Sequence, residues 1–185
     1  QMASLRALIL LVDGVEEIEV IGTTDFLRRA GIEVTMAGLF GLDPITCSEK
    51  ARLLPDAALD DVVKETYNVI VVPGGKVQAF SSSPKVGEIL RAQLSSGRHV
   101  AAICAAPAVL ASHGIQKGGT VTSHPLARHK MEEAGYNYSE DNVVVDGKLI
   151  TSRGPGTTFE FALKVVEILL NSEEAKRLRE FMVVL

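Results

Sequence analysis

The chain contains no tryptophan and only two cysteines, Cys47 and Cys104, among its 185 residues. Two cysteines make no disulfide framework, and no secretory leader is read at the start. A reducing, cytoplasmic compartment is therefore the expectation, with the nucleus or mitochondrion also compatible. On the same ground the acceptor pattern Asn137-Tyr138-Ser139 is discounted as a glycosylation site. No apolar run reaches the ~18 residues of a membrane span, so no membrane partner is expected. No basic run stands out, and 19 basic against 23 acidic residues leave a net charge of −4. Nucleic acid and anionic lipid are poor partners for such a surface.

Metal and nucleotide signatures are also missing. His124 and His129 are five residues apart with no evident third ligand, so no metal is expected. Gly74-Gly75-Lys76 lacks the upstream glycine and the following Ser or Thr of a phosphate-binding loop. No cofactor is expected.

What remains is an ordinary globular balance, 46% hydrophobic and 23% charged. A chain of this length reads as one domain, residues 2–185, burying about 70% of its unfolded surface. Gln1, ahead of Met2-Ala3-Ser4, reads as a leftover residue and is set aside. Leu5 to Val12 is a near-continuous apolar run, the pattern of a strand covered on both faces. Val15 to Ala30 has helical length and Gly31 follows as its stop. Ile32 to Ala37 is a second strand, so the chain opens as a βαβ unit. Short strand-like pieces follow at Ile45 to Cys47 and Ala51 to Leu54. Further strands are expected at Val69 to Val72, Val100 to Ile103 and Thr120 to Ser123. Helices are expected at Pro84 to Leu94, Ala105 to Ser112 and Pro125 to Glu133. Val143 to Asp146 and Lys148 to Thr151 flank a hairpin turn at Asp146-Gly147-Lys148. Helices over Phe159 to Leu170 and Glu173 to Phe181 close the chain. The expected fold is α/β: a mostly parallel sheet, helices on both faces, and one antiparallel hairpin.

Ligands of such folds bind beyond the carboxyl ends of the strands, where Asp13, Gly74 and Cys104 fall. Cys104 sits in Val100-Ala101-Ala102-Ile103-Cys104-Ala105-Ala106-Pro107, a strand-turn-helix pattern. A nucleophile there projects from the sheet edge, and helix amides favour its thiolate and lower its pKa. The placement copies a hydrolase nucleophile elbow without the G-x-S-x-G letters. The alternative is an inert core thiol. Glu19 shares a helix face with Val15, Gly22, Phe26 and Ala30, an unusual place for a carboxylate. Desolvation would keep it protonated near neutrality, able to donate to a thiolate and to shuttle a proton. The alternative is an acidic first turn complementing the helix dipole. Gly74-Gly75 lets backbone amides approach a ligand, so Gly75 with Ala105 can form an oxyanion hole; a simple turn is the alternative. His124, at a strand end, is a candidate base or a solvated histidine. Arg153, in Ser152-Arg153-Gly154-Pro155-Gly156-Thr157, is a candidate to bind an anion or to order the pocket. Cys47 has no helix terminus or basic neighbour in sequence and reads as structural.

Five segments occur in a recognisable order: Glu16-Glu17-Ile18-Glu19, Val72-Pro73-Gly74-Gly75, Ala101 to Pro107, Thr122-Ser123-His124-Pro125-Leu126-Ala127, and Thr151 to Phe161. With them the chain resembles the Parkinson-disease-associated protein deglycase family, of the ThiJ/PfpI superfamily, from Met2 to about Leu170. The resemblance implies a flavodoxin-like sandwich and a homodimer. It implies that Cys104 is an easily oxidised nucleophile with Glu19 as the protonated carboxyl beside it. Gly75 and Ala105 would give oxyanion amides and His124 would lie near the thiol; Gly74 and Arg153 stand beside them as candidate oxyanion or substrate-binding residues. It implies a cofactor-independent glyoxalase or deglycase acting on small 2-oxoaldehydes, with redox sensing and chaperone activity also ascribed to the family. The chain departs from the family pattern at Glu49, where a basic residue is common, at Leu54, where a cysteine sometimes stands, and in a shorter loop after Gly75.

Overall fold

A computed structural model describes residues 3–185; Gln1 and Met2, and with them the first residue of the expected domain, lie outside the described residues. The strands are β1 (Arg6–Leu11), β2 (Glu33–Gly38), β3 (Ile45–Thr46), β4 (Arg52–Leu53), β5 (Ala57–Ala58), β6 (Val69–Val72), β7 (His99–Ile103), β8 (Thr120–Val121), β9 (Asn137–Tyr138), β10 (Val143–Asp146) and β11 (Leu149–Ser152). The helices are α1 (Glu17–Arg29), α2 (Leu59–Val62), α3 (Gln78–Ser81), α4 (Pro84–Ser95), α5 (Pro107–Ser112), α6 (Arg128–Glu133), α7 (Thr158–Leu169) and α8 (Ser172–Phe181).

Seven strands form one sheet in the order β10-β11-β7-β6-β1-β2-β5. All its neighbours are parallel except the β10–β11 hairpin, which turns at Gly147 with φ +61°. Parallel pairing requires crossovers that lay helices over the sheet, so central strands lose their polar face. Ala7 to Leu11 in β1, Val69 to Val72 in β6 and Val100 to Ile103 in β7 are all buried, consecutive residues included. Helices α1 and α7 pack on each other, and α4 packs on β6 and β7.

Helix ends follow local chemistry. Ser83 accepts from the Val86 amide and Pro84 follows as the first helical residue of α4. Asn171 caps α8 by accepting from Glu174 N at 2.9 Å. Helix α1 carries Glu17 and Glu19 in its first turn and Arg28 and Arg29 in its last, matching the macrodipole at both ends.

Several expected boundaries move. The helix expected from Ala105 begins at Pro107, because Cys104 to Ala106 form a turn. The stretch Pro125 to Glu133 divides into a 3-10 turn, Pro125–Ala127, and α6. The strand expected over Thr120 to Ser123 keeps only its first two residues. Strands β5 and β9 and helices α2 and α3 were not expected. Each is two to four residues long, and β5 and β9 exist through pairing to β2 and β8.

Phe161 on α7 is wholly buried. Phe161→Ala is expected to cost about 3–5 kcal/mol, the range for a large core truncation. Urea unfolding monitored by circular dichroism measures it; a loss below about 1 kcal/mol would show that this core relaxes around the cavity.

Candidate active site

Three strand ends converge beside the place where the strand order reverses, between β1 and β6. The chain leaving β1 enters α1 through Glu16, leaves β6 through Gly74-Gly75, and leaves β7 at Cys104. The two glycines tie the first pair of turns together. Glu16 N donates to Gly74 O at 3.0 Å, Lys76 N donates to Gly14 O at 2.9 Å, and Val15 faces Gly75 in an antiparallel bridge. Gly75 has φ +88°, and a Cβ there would fall 2.3 Å from Gly14 O. A Cβ on Gly74 would fall 2.6 Å from the Cys104 Cβ and 2.7 Å from Glu19 Oε1. Only glycine fits either position.

Cys104 has φ +67°, a left-handed backbone that L side chains seldom adopt. Its amide donates to Ser152 O at 3.0 Å and its carbonyl accepts from His124 N at 2.8 Å. These two bonds hold the elbow against a strain of about 1–3 kcal/mol. The residue is 9% exposed and lines a cavity of about 360 Å³ with Glu16, Gly75, Ala105, His124 and Leu126.

Glu19 is fully buried behind the sulfur. Gly74 N donates to its Oε1 at 2.9 Å, while Oε2 makes no hydrogen bond among the described residues and has the thiol of Cys104 as its polar neighbour. Burial pushes Glu19 up to about 8; the charge of Glu16 adds to this and the Gly74 amide opposes it. At neutral pH the carboxyl holds its proton, as expected from its place on the apolar face. The expectation for Cys104 is corrected. Helix amides were to lower its pKa, but α5 starts three residues later, and burial pushes the thiol up to about 12. The adjacent carboxyl and charge of Glu19 raise it further, while the Ala105 and Gly75 amides pull it down. The repulsion exists only when Glu19 is ionised. With Glu19 protonated, its O–H becomes a donor to the sulfur, and the pair carries one negative charge rather than two.

The remaining expected residues separate. His124 lines the cavity, and its Nδ1 accepts from Leu126 N at 3.2 Å. Arg153 is not brought to the cavity wall. Its Nε donates to Ser123 O at 3.1 Å and its Nη1 to Glu140 O at 3.3 Å, so it orders the loop ahead of His124. Gly74 has its amide engaged by Glu19, leaving Gly75 and Ala105 as the amides toward the sulfur. Cys47 is buried, and desolvation together with Glu17, Glu16 and Asp13 pushes it up to about 11. Among the described residues no group of three or more His, Cys, Asp or Glu is arranged to hold a metal ion, and no helix is long and apolar enough to cross a membrane.

Sequence reasoning missed Glu16. It is 9% exposed, lines the cavity, and caps α1, its Oε2 accepting from Glu19 N at 2.8 Å. Glutamate is not a preferred N-cap, and that oddity was the available signal.

The model of the DJ-1/PfpI family matches residues 5–168. A zebrafish (Danio rerio) protein, Parkinson disease protein 7 homolog, is 48% identical over 182 residues, covering 96% of each chain. The Caenorhabditis elegans protein named glutathione-independent glyoxalase DJR-1.2 is 47% identical over 178 residues, covering 95% of each. The crystal structure of Drosophila melanogaster DJ-1beta superposes with a TM-score of 0.96 at 45% identity, covering 99% of this chain and 100% of that one.

Glu19→Gln tests the buried carboxyl. Between its ordinary value of 4.5 and about 8, the folded chain keeps a proton that the unfolded chain has lost. Wild-type stability therefore falls as pH rises through this window, with a slope of up to about 1.4 kcal/mol per pH unit. The glutamine variant lacks that slope, so the stability difference should move in its favour from pH 5 to pH 8. Parallel denaturation curves at both pH values would sink the assignment.

Proposed function

The chain belongs to the DJ-1/PfpI family, and from that premise we propose that it is a cysteine-dependent, cofactor-independent glyoxalase that converts glyoxal or methylglyoxal to 2-hydroxy acids, acts on their early protein adducts, and so protects against oxidative stress. The observation that carries the reading is a strained cysteine at a cavity wall, with two amides in front and a protonated carboxyl behind. The name of the nematode relative supports the same chemistry.

The Cys104 thiolate adds to the aldehyde carbon of a 2-oxoaldehyde. The developing oxyanion points at the amides of Gly75 and Ala105, donors already in place before reaction. Glu19 donates a hydrogen bond to the sulfur, and the thiol proton passes to the former aldehyde oxygen as the carbon–sulfur bond forms, leaving a hemithioacetal hydroxyl; Glu19 and His124 take part in the later proton transfers. Proton movement through an enediol oxidises the aldehyde carbon and reduces the ketone carbon within one molecule. The resulting thioester is hydrolysed by water to the 2-hydroxy acid, and no external oxidant is consumed. A homodimer belongs to this reading. Ile18 and Ile21 on α1 are 51% and 43% exposed, apolar surface that a second copy would cover.

An amidase or protease would need a Cys-His-acid relay. His124 Nδ1 is bonded to the Leu126 amide rather than to a carboxylate, which disfavours that reading.

Lactate formation from methylglyoxal by wild type, Cys104→Ser and Glu19→Ala is the test. Wild type should turn over without glutathione or metal. Cys104→Ser should fall to background and Glu19→Ala by about 100-fold or more, the usual cost of losing a general acid or base. Full activity in Cys104→Ser excludes the proposed nucleophile. No turnover by wild type, with stoichiometric oxidation of Cys104 by dilute peroxide, would instead establish a redox sensor.

A further inference from the structure

We infer that Glu16, the capping residue of α1, is the catalytic base that removes the aldehyde-carbon proton, a role distinct from that of Glu19. The inference rests on the glyoxalase reading above and assigns a step that the reading left between Glu19 and His124.

The argument begins with reach. Once Cys104 Sγ is bonded to the aldehyde carbon, that carbon sits on the cavity side of the sulfur. Its oxygen points to the Gly75 and Ala105 amides, so its hydrogen and its acyl group occupy the cavity. Glu19 is on the other side. It is wholly buried, one oxygen is held by Gly74 N, and it is not part of the cavity wall. Its position suits a proton donor to sulfur and not a base acting on carbon.

Among the described residues, two titratable side chains besides Cys104 line the cavity, Glu16 and His124. His124 Nδ1 accepts the Leu126 amide. In a neutral imidazole that leaves the proton on Nε2, so the ring offers the cavity a donor and not a lone pair. Glu16 has one oxygen fixed by the Glu19 amide at 2.8 Å. This bond, with Glu16 N donating to Gly74 O at 3.0 Å, holds the residue at the start of α1. The residue is 9% exposed, so partial desolvation strengthens it as a base. Burial, with the charges of Glu17 and Glu49, also raises its proton affinity, although bonds from the Glu19 and Ile18 amides counter this. Two carboxyls in different environments thereby divide the work: Glu19 keeps a proton and Glu16 accepts one.

The step balances as follows. Glu16 takes the hydrogen from the aldehyde carbon as a proton, and the electron pair of that C–H bond forms the carbon–carbon double bond of the enediol. His124 Nε2 donates toward the ketone oxygen as its charge develops. Glu16 returns the proton to the former ketone carbon, and the first hydroxyl passes its proton to His124 Nε2, replacing the one given to the ketone oxygen, as the thioester carbonyl forms. Glu16 ends the cycle ionised, as it began.

The test compares wild type, Glu16→Gln and Glu16→Asp, with methylglyoxal turnover and the rate of Cys104 alkylation by iodoacetamide as paired readouts. The glutamine amide oxygen still caps α1, so the elbow and Glu19 stay in place. Turnover by Glu16→Gln should drop about 100-fold or more while alkylation stays within about threefold, because only the carbon proton transfer is lost. Methylglyoxal deuterated at the aldehyde carbon should then show a larger isotope effect than with wild type. Glu16→Asp, a good N-cap whose carboxylate is set back by one methylene, should recover part of the turnover and decides the matter if the glutamine variant does not fold. Unchanged turnover in either folded variant overturns the assignment, as does a matching loss of turnover and alkylation, which would place Glu16 upstream at the thiolate. Absence of turnover in wild type removes the glyoxalase reading itself, whereas a normal wild type with an unaffected variant removes only this inference.

Discussion

The bond from Gly74 N to the buried carboxyl of Glu19 is the constraint on which the site depends. It fixes the start of α1 against the end of β6 and places a carboxyl where solvent cannot reach it. A buried carboxylate is costly, so the group holds its proton instead. A protonated carboxyl beside a thiol changes what the thiol can do. Burial alone makes the sulfur a poor anion, and an ionised neighbour would make it worse. A neutral neighbour with an O–H to donate stabilises the thiolate without adding charge. The reactivity of Cys104 therefore depends more on where a proton resides than on the dipole of the short helix after it.

Strain and support are arranged around the same point. Cys104 keeps a left-handed backbone only because both its amide and its carbonyl are bonded to neighbouring segments, Ser152 and His124. The His124 segment is in turn held by Arg153, and Tyr138 donates its hydroxyl to Ser123 O at 3.0 Å. Gly74 and Gly75 complete the arrangement by their lack of side chains, since a methyl at either would collide with backbone or with the reactive groups. Each contact joins segments distant in sequence. The elbow is a product of the assembled sheet and not of the peptide that contains it.

Much of this was legible beforehand. The apolar runs at β1, β6 and β7 announced buried parallel strands because nothing but coverage on both faces tolerates such runs. The Asp146-Gly147 turn announced the hairpin. Glu19 stood out as a carboxylate among Val15, Gly22 and Phe26, and its burial follows from that face. The short elements were not legible. Ala57–Ala58 has too little side chain to mark a strand, and it becomes one only through its pairing with Ala37 and Gly38. Arg153 carried a charge that suggested an anion site, yet backbone carbonyls from a distant loop engage it.

The sequence by itself determined the layered α/β class, the placement of Cys104 at a strand end, and the apolar setting of Glu19. These depend on residue type and spacing along one chain segment, which burial and backbone preference convert directly into structure. Tertiary structure alone decided which side of the sulfur each carboxyl occupies. Glu16 and Glu19 are three residues apart, nearly one helical turn, and look alike as a sequence. Only the approach of β6 and β7 seals Glu19 behind the thiol and leaves Glu16 on the cavity wall. Desolvation depends on every atom nearby, whatever its position along the chain, and so the difference between the sealed carboxyl of Glu19 and the cavity-facing one of Glu16 belongs to the fold.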